Sequence, residues 1–156
     1  VDRFMMKLHV DYPTRTEEKE ILRRMAGGER INVEPVATPQ QLMEARHRIS
    51  ELYMDDRIVD YIVDLVHATR HPAEVGAADL KPLIEFGASP RATIALAQAS
   101  RAHAFLRGRA FVTPDDVKAI APDVLRHRVL PSFESDPEGV NSDTIVERLR
   151  AAVETP

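Results

Sequence analysis

Apolar residues recur at helical spacing through the middle of the chain, over residues 38–125. Side chains three and four positions apart share one helix face, so this spacing predicts four helices. Three of them start with a Ser-Pro or Thr-Pro pair. Such a pair supplies an N-cap acceptor and then a proline at the first helical position, where no N–H is needed. The pattern predicts a mainly α fold whose body is a four-helix bundle.

The predicted helices differ in their apolar faces. The first, from Thr38, is expected to bury Leu42, Ala45, Ile49 and Leu52. The second, from Asp55 to about His71, is expected to bury Ile58, Ile62, Leu65 and Val66. The third, at 91–107, is rich in alanine and is placed at the centre of the bundle, since small side chains let helices approach closely. The fourth starts at Thr113, and Pro122 is expected to break or kink it.

The flanking segments carry different patterns. Residues 4–10 alternate between apolar and polar, which predicts a short strand with no partner in this sequence. A capping box at Thr14 starts a helix to about Ala26. An extended linker at 30–38 is expected to hold a short strand at 31–33, and residues 126–133 are expected to be extended. A last helix from Asn141 or Ser142 presents Ile145, Leu149 and Ala152. We therefore divide the chain at 1–37, 38–131 and 132–156.

Composition limits the classes of protein that fit. The 156 residues suit one domain, or one domain with an attached piece, and they include no cysteine. The net charge of −4 argues against general nucleic-acid binding. No apolar run is long enough for a membrane span and no signal peptide is evident, so a cytoplasmic protein is expected. The chain begins at Val1 and enters a strand pattern at once, so we expect a fragment of a longer chain.

A pair of histidines and a set of four arginines are candidate binding sites. His67 and His71 are four residues apart and can share a metal, but the sequence offers no third ligand, so two surface histidines are the simpler interpretation and no metal site is predicted. Four arginines can bind nucleic acid or contact acidic loops and other subunits, and the second role is favoured: Arg107, Arg109, Arg126 and Arg128.

The hexapeptide Gly-Ala-Ser-Pro-Arg-Ala at 87–92 opens the alanine-rich helix. Ser89 is a suitable N-cap and Pro90 suits the first helical position. Arg91 then lies where the helix dipole disfavours a cation. A helix N-terminus together with an arginine suits an anion such as phosphate, although a solvated surface arginine fits the same pattern.

This hexapeptide, Asp-Arg-Phe-Met-Met-Lys at 2–7, Tyr-Pro at 12–13, Arg-Gly-Arg at 107–109 and Val-Thr-Pro-Asp-Asp-Val at 112–117 together resemble the MoxR family of AAA+ ATPases. The resemblance covers nearly the whole chain, in order. It implies that residues 2–10 are the last strand of the AAA+ core and that residues 38–125 are the helical lid. The two nucleotide-binding motifs and the magnesium site of such proteins are absent from this sequence.

The resemblance also implies roles for particular residues. Arg91 matches the sensor 2 arginine, which reaches the γ-phosphate from the lid, with Ser89 and Ala88 beside it as ATP-binding residues. Arg3 matches the candidate arginine finger for a neighbouring subunit; a structural ion pair is its alternative. ATP and magnesium are the implied cofactors, bound mainly by the upstream core, so this fragment alone is expected to be inactive. The implied partners are its own subunits in a ring, often a hexamer, and proteins with von Willebrand A domains.

Two other classes of protein remain as alternatives. A free-standing helical interaction module is disfavoured by the unpaired strand at 4–10 and by the start at Val1. A helix-turn-helix DNA-binding protein needs an exposed basic reader helix. The only short candidate helix opens with Asp115 and Asp116, so this class is disfavoured too.

Overall fold

The computed structural model describes residues 2–26, 32–135 and 139–156. Six α-helices lie in these ranges, which confirms the mainly α fold. They are α1 (Arg15–Ala26), α2 (Pro39–Ser50), α3 (Asp56–Ala68), α4 (Pro90–Leu106), α5 (Pro114–Leu125) and α6 (Ser142–Ala152). Each predicted helix is present, and α3 ends three residues before the predicted end at His71.

The buried core lies among α3, α4, α5 and α6. Helix α4 packs against α2, α3 and α5, while α6 packs against α3 and α5. The alanines of α4 make this close packing possible, as Ala92, Ala95, Ala99 and Ala104 are all buried. Ile145 and Leu149 of α6 are fully buried in the same core. The predicted central position of α4 is therefore confirmed.

A small antiparallel sheet joins the loop before α4 to the segment after α5. Strand β1 (Ile84–Phe86) pairs with β2 (Leu130–Pro131), with Ile84 opposite Pro131 and Phe86 opposite Leu130. Of the segment predicted to be extended at 126–133, only the two residues of β2 form a strand. Short 3₁₀ turns at Pro72–Val75, Ala78–Leu80 and Phe133–Ser135 complete the connections.

The strand predicted at residues 4–10 is not formed. Residues 2–5 form a turn and a bend, and residues 6–14 have no regular structure. Phe4, Leu8 and Val10 are more than half exposed, because no strand in the described residues pairs with them. The second predicted strand, at 31–33, is also wrong for Asn32 and Val33, while Ile31 lies outside the described residues.

Helix α2 does not bury the face that was predicted for it. It contains no buried residue, and Leu42 is 59% exposed. Ala45, Ile49 and Leu52 are only half-buried. The reason is that α2 lies at the outside of the bundle and packs against α4 alone among the major helix contacts. The Arg101 side chain of α4 donates to the Leu52 carbonyl over 3.2 Å, which holds the end of this region in place.

Pro122 was predicted to break or kink α5, yet the helix continues through it to Leu125. A proline leaves the carbonyl four residues earlier without its helical N–H donor. Here that carbonyl belongs to Lys118, and Arg150 Nη1 of α6 donates to it over 2.9 Å. The sequence pattern gave no sign of this donor, because Arg150 comes from a different helix.

Asp116 joins the end of α4 to the start of α5. Its carboxylate is fully buried and accepts from Arg109 Nη1 (2.8 Å) and from the Thr113 backbone N–H (2.8 Å), and it lies 2.7 Å from His103 Nδ1. Burial opposes ionisation, but these hydrogen bonds outweigh it and hold the pKa of Asp116 below its ordinary value of 3.8. Asp116 is therefore a buried anion that has its partners in place.

We expect Asp116→Asn to lower the free energy of unfolding by about 2–3 kcal/mol, because it removes the negative charge from the hydrogen bonds with Arg109 and leaves that partly buried cation without its counter-ion. Asp115→Asn is the matched control: Asp115 is the exposed neighbour in the same helical turn, and its loss should cost less than about 1 kcal/mol through the helix dipole. Urea unfolding measures both. Equal losses would contradict the role assigned to Asp116.

Candidate functional site at the start of α4

Helix α4 begins as its sequence predicts. The Ser89 backbone is extended, its hydroxyl accepts from the Arg91 N–H over 3.3 Å, and Pro90 is the first helical residue. The Arg91 side chain is 62% exposed. The helix therefore presents an arginine at its N-terminal end, which carries a partial positive charge.

Gly87 and Ala88, which precede this helix, pack against the residues that follow α3. A Cβ at Gly87 would lie 2.5 Å from the Thr69 carbonyl oxygen, so only glycine fits the space there. Ala88 is fully buried; its N–H donates to Thr69 Oγ1 over 2.8 Å and its carbonyl accepts from the Arg70 guanidinium. Ala88 thus anchors the start of α4 to the end of α3. Of the motif, Pro90 and Arg91 are exposed, and Ser89 is half-buried.

Asp2 brings the N-terminal turn to the same place. Its Oδ2 accepts from Ser89 Oγ over 3.0 Å and lies 3.5 Å from Arg91 Nη1, while its Oδ1 accepts from Arg128 Nε over 3.1 Å. Burial acts to raise the pKa of Asp2, but the hydrogen bonds from Ser89, Arg128 and Arg91 outweigh it and hold the pKa below 3.8. Asp2 is therefore ionised at neutral pH.

Arg3 and Arg91 line one shallow cleft of about 180 Å³, together with Asp2, Ile94, Gln98 and Arg128. Three guanidinium groups and one carboxylate leave the cleft with an excess of positive charge. Arginine remains charged and presents a planar set of donors that matches phosphate oxygens. The residues present therefore fit a phosphate group.

Sequence reasoning missed Asp2 and Arg128 as members of this cleft. In the sequence, Asp2 is recognisable only as part of the motif at 2–7, and Arg128 only as one of four basic residues. Three of the four arginines pair with carboxylates, Arg109 with Asp116, Arg126 with Asp143 and Arg128 with Asp2, and none of these three carboxylates lies in the acidic loop at 132–141. With these side chains paired, they do not form a free basic surface for nucleic acid.

His67, in α3, and His71, just after the end of α3, do not form a metal centre. The rings of His67 and His71 stack with their centroids 4.4 Å apart, and Glu74 lies 3.6 Å from His67 Nδ1. Across residues 2–26, 32–135 and 139–156, no group of three or more His, Cys, Asp or Glu side chains is arranged to hold a metal ion. No helix within the same ranges is long and apolar enough to cross a bilayer.

Comparison with known proteins shows what this chain is similar to. Residues 76–149 match the family model of the AAA lid domain. The chain is 35% identical over 99% of its length to Chaperone MoxR1 of Mycobacterium tuberculosis, and spans 41% of that protein. It is 32% identical over 85% of its length to Protein MoxR of Paracoccus denitrificans, spanning 43% of that protein.

A solved structure shows the same fold. A candidate ATPase from Cytophaga hutchinsonii superposes with a TM-score of 0.93 at 35% identity, over 99% of this chain and 47% of that one. The chain is therefore similar to AAA+ ATPases, and its residues 76–149 match the AAA lid domain. Within that class its relatives are MoxR proteins, so the recognition made from the sequence motifs is confirmed. The chain spans less than half the length of each of these proteins.

His127, beside the cleft, is buried in a neutral form. Its Nε2 donates to the Phe4 carbonyl over 3.1 Å, while Nδ1 has no hydrogen-bond partner within residues 2–26, 32–135 and 139–156. Burial lowers the pKa of His127 below 6.5, and the Phe4 carbonyl opposes this only in part. The folded chain therefore resists protonation at a pH where the unfolded chain accepts it.

We expect His127 to lower the free energy of unfolding of the chain as the pH falls from 7.5 to 5.5. The unfolded state binds more protons at this residue below pH 6.5, so the free energy of unfolding decreases as the pH falls through this window. His127→Gln keeps an N–H donor without titrating, and its melting temperature should fall less over the same interval. Parallel pH dependences for the two proteins would contradict this expectation.

Proposed function

We propose that this chain is the lid part of a longer AAA+ ATPase and that Arg91 contacts the γ-phosphate of ATP bound by that protein. The observation that carries the proposal is the exposed Arg91 at the start of α4, facing the same cleft as Arg3. The match of residues 76–149 to the AAA lid domain supports the class. Arg3, in this proposal, is the arginine finger for a neighbouring subunit, so the ATP whose phosphates Arg3 and Arg91 share lies where two subunits of the ring meet.

The chemistry of phosphoryl transfer fits this role. The enzyme contributes mainly positioning and neutralisation of the charge on the transferred group. Arg91 is held at its backbone by the Ser89 cap, while its guanidinium is exposed and, among the described residues, pairs with Asp2 at 3.5 Å. A phosphate group with more negative charge than one carboxylate would attract the same side chain more strongly.

Magnesium and the phosphate-binding loop would be supplied by other parts of the longer protein. The described residues hold no cluster of acidic side chains arranged for a metal ion. We therefore expect this chain alone to bind ATP weakly or not at all, without hydrolysis. Ser89 would contribute by capping the helix, and Ala88 by fixing its start against α3.

The wider role follows from the relatives and belongs to the same proposal. Two of them carry the names Chaperone MoxR1 and Protein MoxR. We propose that the intact protein forms a ring, which we expect to be a hexamer. The ring uses ATP to remodel or mature partner proteins, including proteins with von Willebrand A domains. We place this activity in the cytoplasm.

In the intact ATPase, Arg91→Ala should lower kcat by about 10- to 1000-fold, below the range of about 10³–10⁵ that an arginine finger can contribute. The melting temperature of the chain should change little. Removing a cation from a helix N-terminus gains about 0.3–1 kcal/mol, while losing the exposed pair with Asp2 costs about 0–1 kcal/mol. Arg91→Lys should restore activity only in part, since a point charge lacks the planar set of donors.

Arg107→Ala is the matched control, because Arg107 is an exposed arginine at the opposite end of the same helix. It should leave ATP hydrolysis unchanged. Steady-state ATPase assays beside thermal melting compare the variants. An Arg91→Ala protein that melts much earlier, yet hydrolyses ATP normally per folded molecule, would show that Arg91 is structural.

A further inference from the structure

The guanidinium of Arg128 lies buried beneath the turn that carries Arg3. The Arg128 side chain is 2% exposed. Its Nε donates to Asp2 Oδ1, its Nη2 to the carbonyls of Asp2 (3.1 Å) and Phe4 (2.6 Å), and its Nη1 to the carbonyls of Met5 (3.0 Å) and Val124. A guanidinium has five N–H donors, so each of them has an acceptor here.

The residues around Arg128 hold the same turn. His127 Nε2 donates to the Phe4 carbonyl over 3.1 Å, and Arg126 Nη1 donates to the Lys7 carbonyl over 2.9 Å. The Lys7 N–H in turn donates to the Asp123 carbonyl over 2.8 Å. Residues 2–7 form neither a helix nor a strand. Hydrogen bonds from side chains and from the backbone nevertheless attach them to the end of α5 and to the residues that follow it.

The turn is attached on its other side to α4. Asp2 accepts from Ser89 Oγ and lies beside Arg91, while its other oxygen binds Arg128. One carboxylate thus connects the buried arginine to the helix end that carries Arg91. Arg3 is the next residue in the chain, so its backbone position is set by the contacts on both sides of it.

We infer that Arg128 is a positioning residue, which holds the Arg3 turn against the start of α4 so that Arg3 and Arg91 face one anion. The inference rests on the proposed function only for the identity of that anion as a phosphate of ATP. A lysine cannot replace Arg128, since three donors on a flexible stem cannot reach five acceptors that lie around a planar group.

The first measurement is hydrogen exchange of the chain itself, followed by mass spectrometry. Arg128→Lys should increase the exchange rate of the Lys7 amide, which donates to the Asp123 carbonyl, by about 10-fold or more, as read in a peptide that covers residues 3–8. The amides of α3 and α4 should exchange as before. Arg150→Ala is the control for general loss of stability, because Arg150 is a partly buried arginine that donates to a carbonyl of α5, away from the turn. It should not release residues 3–8 selectively.

The second measurement is a double-mutant cycle on kcat in the intact ATPase. Arg128→Lys should lower kcat by about 10- to 100-fold, as expected for displacement of a catalytic group by about 1 Å. Combined with Arg3→Ala it should lower kcat no further than Arg3→Ala alone, since Arg128 acts through the Arg3 turn. A residue that only stabilises the fold would give additive losses.

The outcomes separate the two proposals. Exchange that rises throughout the chain, or losses in kcat that add, would overturn the role of Arg128. Selective release of residues 3–8 with unchanged kcat would also overturn it, while leaving Arg91 untouched. If Arg91→Ala itself keeps full activity, the proposed function fails, although the attachment of the turn by Arg128 can still be measured by exchange. Should Arg128→Lys not fold, Asp2→Asn removes the same ion pair and decides by the same two measurements.

Discussion

The close packing of α4 against α3 and α5 is the constraint on which the rest of the structure depends. Ala92, Ala95, Ala99 and Ala104 present only methyl groups to neighbouring helices, and all four are buried. At the start of α4 the same constraint reaches the backbone, where a Cβ at Gly87 would meet the Thr69 carbonyl at 2.5 Å. Because α4 is held so closely, the direction of its N-terminus is fixed by the core. The position of Ser89 and Arg91 at the surface follows from that direction.

Each end of α4 is completed by one buried charge. Asp116 is fully buried near the C-terminal end of α4, where Arg109, His103 and Thr113 surround its carboxylate. Arg128 is buried near the N-terminal end, with Asp2 as its counter-ion. A buried charge is tolerated only where its partners are in place, so these two groups demand specific geometry of the loops that approach them. The loops around α4 are therefore ordered by electrostatics as much as by apolar contact.

The parts of the fold that depend on local signals could be predicted from the sequence. The caps at Thr38 and Ser89 accept from N–H groups within three residues, and the Thr113 N–H donates to Asp116 three residues on, so these helix starts were correct. What depends on distant residues could not be predicted: the Arg150 donor that lets α5 continue past Pro122, and the pairing of Asp2 with Arg128 across 126 positions. The strand expected at 4–10 fails for the same reason, because alternation describes a face but does not supply a partner strand. In the site, the motif identified Arg91 and Arg3, whereas the side chains that hold them in one cleft appear only in the structure.

The two oxygens of Asp2 meet unequal partners, and this inequality fits a site that receives an anion. Oδ1 binds Arg128, whose side chain is 2% exposed, so the arginine end of this pair is shielded from water. Oδ2 lies 3.5 Å from Arg91, which is 62% exposed, so this contact is weak and readily exchanged. In the proposed function, a phosphate draws Arg91 away from Asp2 at small cost, while the bond to Arg128 keeps the turn in place. The carboxylate that contacts both arginines is then also the group that keeps the turn attached when Arg91 moves.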